Sequence, residues 1–366
     1  MTPPRCARGI VVTLSPEWPK RLLIGIATAE HCDLAMTGAS ERPSSAAPIA
    51  RLEADRIVAP DGTVLPLRIW LPETAPRAVV VALHGFNDHA NAFADPAAVL
   101  ARHGIATFAY DQRGFGRTAL RGRWAGAEVM VDDALVAIAL LRRRHPALPL
   151  YLMGESMGAA VAILAAKRAG GTGGTDGFIL LAPAVWGRAT MSFFERTGLW
   201  LADFLPMITW SPRLLPVSIR VSDNAAMLRA LHADPLVIQT TRSDTLTGLV
   251  DLMGAALDAA PHFAGRALIL YGERDEIVPR APVARFVAAL PAAAASRQRV
   301  ALYPNGYHLL LRDLAGPQVT ADLVAWLHDP NAPLPSGADR DARARLIGAA
   351  GATPGAAATQ PEFKPS

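Results

Sequence analysis

The sequence predicts an α/β protein, one mostly parallel sheet with helices on both faces. Short apolar runs recur along the chain at Ala78 to Leu83, Ile105 to Tyr110, Leu150 to Met153, Phe178 to Leu181, Ala267 to Tyr271 and Val300 to Tyr303. They are continuous rather than alternating, as strands buried on both faces must be. The stretches between them carry helical spacing, which is how parallel strands are connected. Of the 366 residues, 51% are apolar and 19% charged, enough for a single large core with an insertion.

Residues 1 to 50 mix Pro, Ser, Ala and Thr without sustained periodicity and are expected to form a flexible leader. Within it, Lys20 and Arg21 precede the apolar run Leu22 to Ala29 and then Cys32, a weak likeness to an export signal before a lipidated cysteine. Glu30 and His31 stand where small residues belong, so a cytoplasmic protein is the main expectation and anchoring through Cys32 the alternative. The α/β domain is expected over residues 51 to 328. Arg56 to Ala59 and Val64 to Leu71 flank Asp61-Gly62, a hairpin signal at its entrance. Val131, Leu135, Ile138 and Leu141 predict a helix packed on one face before the third strand. From about 185 to 264 no run fits the sheet, and Trp, Phe, Leu and Met are interspersed with Pro and Asp. A bare loop of that length does not suit a compact domain, so a helical cap insertion is expected. Residues 329 to 366, rich in Pro, Gly and Ala, read as a disordered tail.

Several function classes are excluded at this level. The net charge is +4, carried by scattered arginines, and the one dense run, Arg142 to Arg144, ends a predicted helix where cations suit the macrodipole. Without a basic stripe and interleaved aromatics, nucleic acid is not an expected partner. The two cysteines, Cys6 and Cys32, supply neither a disulfide framework nor a thiolate metal site. No H-E-x-x-H, C-x-x-C or G-x-G-x-x-G opens a metal or dinucleotide site, so no cofactor is expected.

The chemistry gathers in three short motifs. Gly154-Glu155-Ser156-Met157-Gly158 follows an apolar strand and precedes the helix-forming run Ala159 to Ala166. A nucleophilic serine needs this setting, a sharp turn from strand to helix that lifts its hydroxyl above the sheet. A serine N-cap on an ordinary turn has the same local sequence. The hydroxyl also requires a base, and the base an orienting acid. Asp275 in Gly272-Glu273-Arg274-Asp275 and His308 in Asn305-Gly306-Tyr307-His308 follow later strands, where ligands of open parallel sheets bind. Glu273 is the rival carboxylate and His262 a more remote rival histidine. Oxyanion donors are expected from the backbone N–H of Met157 and from that of Phe86 in Leu83-His84-Gly85-Phe86. His84 precedes the serine and ends a buried strand, which suits loop shaping, and Asp111 and Arg113 of Asp111-Gln112-Arg113-Gly114 suit the tying of loops.

Taken together, H-G-F, D-Q-R-G-F-G, G-E-S-M-G, G-E-R-D and G-Y-H in this order resemble the monoacylglycerol lipase and lysophospholipase branch of the α/β-hydrolases, from about Arg56 to His328. The resemblance implies Ser156, Asp275 and His308 as catalytic triad, Phe86 and Met157 as oxyanion donors, and a mobile helical cap. It implies hydrolysis of a small ester or lipid monoester, with the cap touching a membrane surface transiently. Phe86 is bulkier than the residue often found there, and Glu155 replaces the histidine many members carry before the nucleophile. Aminopeptidase, thioesterase or acyltransferase chemistry with the same triad, and a non-catalytic binding module, are the alternatives.

The aromatic and aliphatic residues Trp186, Phe193, Phe194, Leu199, Trp200, Leu201, Phe204, Leu205, Met207, Ile208 and Trp210 crowd the insertion. They would form the cap's own core or an acyl-binding face.

Overall fold

The computed structural model describes residues 49–188, 191, 197, 208–210 and 219–350. Its centre is a nine-stranded sheet. The first three strands, β1 (Arg51–Leu52), β2 (Arg56–Val58) and β3 (Val64–Trp70), pair antiparallel. Six further strands follow, β4 (Ala78–Leu83), β5 (Ile105–Tyr110), β6 (Leu150–Glu155), β7 (Gly177–Leu181), β10 (Ala267–Gly272) and β11 (Gln298–Tyr303). The short pair β8 (Thr209–Trp210) and β9 (Thr241–Arg242) forms a separate antiparallel ribbon inside the insertion. The strand order is β1-β2-β3-β5-β4-β6-β7-β10-β11, parallel from β5 to β11.

Every residue of β4, β5, β6, β7 and β10 is buried, which accounts for their unbroken apolar runs. Successive side chains still alternate between two cores. Val79, Val81 and Leu83 face one, whereas Ala78, Val80 and Ala82 face the other. The first core is closed by α2 (Ala127–Arg144), α3 (Met157–Arg168), α5 (Ser243–Asp258), α6 (Arg280–Ala289) and α8 (Ala342–Ala350). The second is closed by α1 (Ala94–Arg102) and α7 (Gly316–His328). The helix α4 (Ala225–Ala233) buries no side chain. The expected hairpin is the β2–β3 pair, with Val58 opposite Val64. At the end of α2, Arg142 binds Asp176 and the carbonyls of Leu148 and Gly174, so this arginine of the run anchors the neighbouring loops.

Two expected boundaries differ from the structure. Within the segment 185 to 264, α5 lies against α3 and buries Val250, Leu252, Met253, Ala256 and Leu257 in the sheet's core. It belongs to the body of the domain, and the insertion ends near Arg242. The tail expected to be disordered from 329 is folded as far as Ala350. Its weak apolar content is concentrated at Leu334, Ala342 and Leu346, all buried. Ala342 and Leu346 are spaced by four, so they share the face of α8 that meets α6 and β11. The segment also covers the edge strand, because Leu302 N–H donates to Ala338 O at 2.9 Å. The leader through Pro48, including Cys6 and Cys32, lies outside the described residues, as do 351–366 and Phe193, Phe194, Leu199, Trp200, Leu201, Phe204, Leu205 and Met207. No helix among the described residues is long and apolar enough to cross a membrane.

Candidate active site

The order β5-β4-β6 reverses the direction in which strands are added, and open sheets bind ligands at the carboxyl ends of such a switch point. The two strands there are β4 and β6, paired with Leu83 opposite Gly154. Their ends carry Phe86 and Ser156. Ser156 sits at φ 54°, ψ −113°, a left-handed backbone that a serine adopts only under constraint. The constraint is visible in its flanks. A Cβ on Gly154 would lie 2.3 Å from the Gly158 carbonyl, and one on Gly158 would lie 2.1 Å from Leu83 O. Only glycine lets α3 come this close to β4 and β6, and the approach forces the turn. Ser156 N–H donates to Leu181 O at 2.8 Å, which fastens the turn to β7.

Farther along the sheet, β10 and β11 pair with Gly272 opposite Tyr303, so the loops after them are neighbours. A Cβ on Gly272 would meet Gly306 O at 2.4 Å, a second backbone approach open only to glycine. Asp275 and His308 meet there, with His308 Nδ1–H donating to Asp275 Oδ2 at 2.8 Å. The other carboxylate oxygen, Oδ1, accepts from the N–H of Ile277 at 2.8 Å and of Val278 at 3.0 Å. With Nδ1 committed to Asp275, Nε2 is left as the basic nitrogen. Burial opposes a charge on this imidazole. The Asp275 carboxylate, its hydrogen bond and the nearby Glu155 outweigh burial and hold the His308 pKa above its ordinary value. No hydrogen bond links Ser156 Oγ to His308 in this geometry, and such contacts often tighten only around substrate.

The rivals are employed elsewhere. Glu273 is bound by Arg280 at 2.8 Å and Arg345 at 3.0 Å. His262 is exposed in the 3₁₀ turn before β10, at the opposite end of that strand from Asp275. His84 is buried and shapes the loop. It engages Gly85 O through Nδ1, and its Nε2 accepts from Gln112 N–H at 3.0 Å, while burial lowers its pKa and keeps it neutral. Asp111 accepts from the N–H groups of Ala90 and Arg117, and Arg113 bridges Asp61 and Asp133, so both tie loops. The Phe86 ring packs edge-on against Phe115, 5.6 Å between centroids, which directs the bulky side chain into the core. The N–H groups of Phe86 and Met157 donate to no acceptor among the described residues. Donors left open in this way are what an oxyanion needs. Among the described residues no cluster of histidine, cysteine or carboxylate side chains could hold a metal ion.

One set of residues was not anticipated. Glu155, one position before the serine, is bound by Arg312 Nη2 at 2.8 Å, and the same guanidinium binds Asp88 through Nη1 at 2.7 Å. Its signal in the sequence was Glu155 itself, since a carboxylate at the end of an apolar strand needs a counter-charge. Arg312 is four residues beyond His308.

The sheet, its helices and the strand-to-helix serine turn are those of an α/β-hydrolase. Residues 74–315 match the model of Hydrolase_4, described as serine aminopeptidase, S33, and the chain belongs to that family. Curated relatives include the monoacylglycerol lipase of Mycolicibacterium smegmatis, 25% identical over 266 residues (71% of this chain and 91% of that protein). The human monoglyceride lipase is 26% identical over 267 residues, 72% of this chain and 85% of the relative. Among solved structures, a soluble variant of monoglyceride lipase from Saccharomyces cerevisiae superposes with TM-score 0.64 at 19% identity, covering 81% of this chain and 99% of that one. The monoacylglycerol lipase of Paleococcus ferrophilus gives TM-score 0.58 at 21% identity, covering 72% and 98%. The resemblance to the monoacylglycerol lipase-like branch therefore holds across the domain.

Proposed function

We propose that this chain is a carboxylic ester hydrolase acting on lipid-like monoesters, monoacylglycerols or lysophospholipids, through an acyl-enzyme on Ser156. The observation that carries the reading is the strained Ser156 turn in the same domain as a buried His308–Asp275 pair. In the first half-reaction Ser156 Oγ attacks the ester carbonyl carbon and its proton passes to His308 Nε2. The C–O π electrons move onto the carbonyl oxygen, which the N–H groups of Phe86 and Met157 stabilise. Collapse expels the alcohol, which takes the proton from His308. Water, deprotonated by the same histidine, then attacks the acyl-serine carbonyl; collapse breaks the bond to Ser156 Oγ, which takes the proton back from His308 as the carboxylic acid leaves.

The family description raises aminopeptidase activity as a second reading. A substrate ammonium would need a free carboxylate near the serine. Asp88 and Glu155 are both bound to Arg312, which argues for esters. In the described part of the cap, Ile208 and Ile219 are exposed and would be the side chains laid against a lipid interface. For location the reading is a cytoplasmic protein with lipid anchoring through Cys32 as the alternative; full-length protein in the membrane fraction that a Cys32→Ser variant leaves would favour the alternative.

A chain-length series on p-nitrophenyl esters and glycerides tests the substrate class. Each acyl methylene buried is worth roughly 0.8 kcal/mol, about fourfold in affinity. kcat/KM should therefore climb at least about tenfold from acetyl to medium-chain esters before levelling. A flat profile beyond acetate, or a preference for triacylglycerol, would leave small-ester or amide hydrolysis instead.

A further inference from the structure

Three loops must hold still for the proposed chemistry, and they come from strands that are far apart in the sequence. The loop after β4 carries the Phe86 N–H, the turn after β6 carries Ser156, and the loop after β11 carries His308. One side chain touches all three. Arg312 belongs to the His308 loop, its Nη1 binds Asp88 two residues beyond Phe86, and its Nη2 binds Glu155 next to Ser156. The three side chains are 10% (Arg312), 10% (Asp88) and 2% (Glu155) exposed, so water does little to loosen them. The backbone of Arg312 is held as well. Its N–H donates to Leu309 O, and its carbonyl accepts from Asn224 Nδ2 at 3.0 Å.

We infer that Arg312 is a positioning residue, a clamp that fixes the Phe86 oxyanion donor against the Ser156 turn and thereby sets the rate of acyl transfer rather than the strength of substrate binding. Resting on the ester hydrolase reading, this deepens it by assigning a role to Arg312, Asp88 and Glu155. A planar guanidinium suits the task, since its fixed fork can meet two carboxylates in one geometry. Lysine offers one point charge and cannot hold both in register. Taking the cation away leaves two buried carboxylates facing each other, and their repulsion would open the gap between the oxyanion loop and the nucleophile.

The charges also reach the base. Those facing His308 are Asp275 from the β10 loop, Glu155 from β6 and Arg312 from its own loop. Asp88 lies behind Arg312, and Asp313, buried in the same loop, accepts from Tyr307 N–H. Glu155 favours the imidazolium and Arg312 disfavours it. Substituting one or the other should therefore move the acidic limb of kcat/KM in opposite directions, down in pH for Glu155→Gln and up for Arg312→Met.

The experiment measures kcat and KM on p-nitrophenyl butyrate per active site, counted by fluorophosphonate titration, for Arg312→Met, Arg312→Lys, Asp88→Asn, Glu155→Gln and the double variant Asp88→Asn/Arg312→Met. A displaced oxyanion donor costs about 10² in rate. Arg312→Met should lose about that much in kcat with KM within about threefold, and Arg312→Lys should recover part of it. Because Asp88 acts through Arg312, the double variant should be no slower than Arg312→Met alone. If Arg312→Met fails to fold, Arg312→Lys and Asp88→Asn decide by their kcat. Full kcat per active site in those two, multiplicative losses in the double variant, or limbs moving the same way would overturn the clamp. Wild-type protein that neither labels nor hydrolyses the ester would instead overturn the hydrolase reading itself.

Discussion

Replacing Gly158 by alanine tests the geometry of the serine turn without touching any group that does chemistry. The added Cβ would stand 2.1 Å from Leu83 O and 2.6 Å from Leu83 C, both backbone atoms of β4 that no side-chain rotation can clear. A carbon does not settle closer than about 3.3 Å to a carbonyl oxygen, so the start of α3 and the end of β4 must part by roughly 1 Å. That displacement separates the Met157 N–H, at the first position of α3, from the loop that carries Phe86. Misplacement by about 1 Å costs about 10²-fold in rate, and overpacking a close contact costs about 1–3 kcal/mol of stability. The assay is kcat/KM on a short p-nitrophenyl ester together with thermal unfolding. The control is Gly348→Ala in α8, where an added Cβ meets nothing within 4 Å. The control should keep full activity and gain up to about 1 kcal/mol from helix propensity. Gly158→Ala with more than half the wild-type rate and unchanged melting would show that α3 does not approach β4 as described.

Asp275→Asn should lower kcat by roughly 10⁴ through loss of the orienting carboxylate, measured on the same ester. Glu273→Gln, which removes only the bonds to Arg280 and Arg345, should change it less than about threefold; the reverse pattern would exchange the roles of the two acids. Because Asp275 and Glu155 stabilise the protonated imidazole, His308 stays protonated to higher pH than a free histidine. The wild-type kcat/KM should accordingly fall, as pH is lowered, at a value above the ordinary imidazole pKa of about 6.5. Activity that does not fall with pH anywhere in the histidine range would show that the base is not the Asp275-bound histidine. Leu346→Ala should destabilise the domain by about 2–4 kcal/mol in denaturant titration, since its side chain is fully buried under α8. A change below about 0.5 kcal/mol would return residues beyond 329 to the status of a loose tail.

The core strands were legible because β4, β5, β6, β7 and β10 are buried at every residue and so are nearly all apolar, and the edge strand β11 is apolar from Val300 to Tyr303. The serine turn was legible because close backbone approach requires glycine at both flanks, a demand that leaves letters in the sequence. Other features left weaker marks. The helix α8 rests on two core side chains, Ala342 and Leu346, among residues whose composition reads as loose, so only tertiary contact makes it fold. The helix α5 carries the same apolar periodicity as a cap helix would, and nothing local says which surface it covers. Arg312 and Asp88 are separated by more than two hundred residues, and their meeting at Glu155 follows from strand order rather than from any motif.

The central claim is that Ser156 is a nucleophile activated by this fold, and covalent labelling tests it most directly. A fluorophosphonate probe, followed by peptide mapping, should modify Ser156 in the intact protein. Ser156→Ala should take up no probe, keep its melting temperature and lose about 10⁴ to 10⁶ in kcat. His308→Ala should suppress labelling because no base remains to take the proton. Probe found on another serine, or more than a tenth of wild-type turnover in Ser156→Ala, would contradict the account.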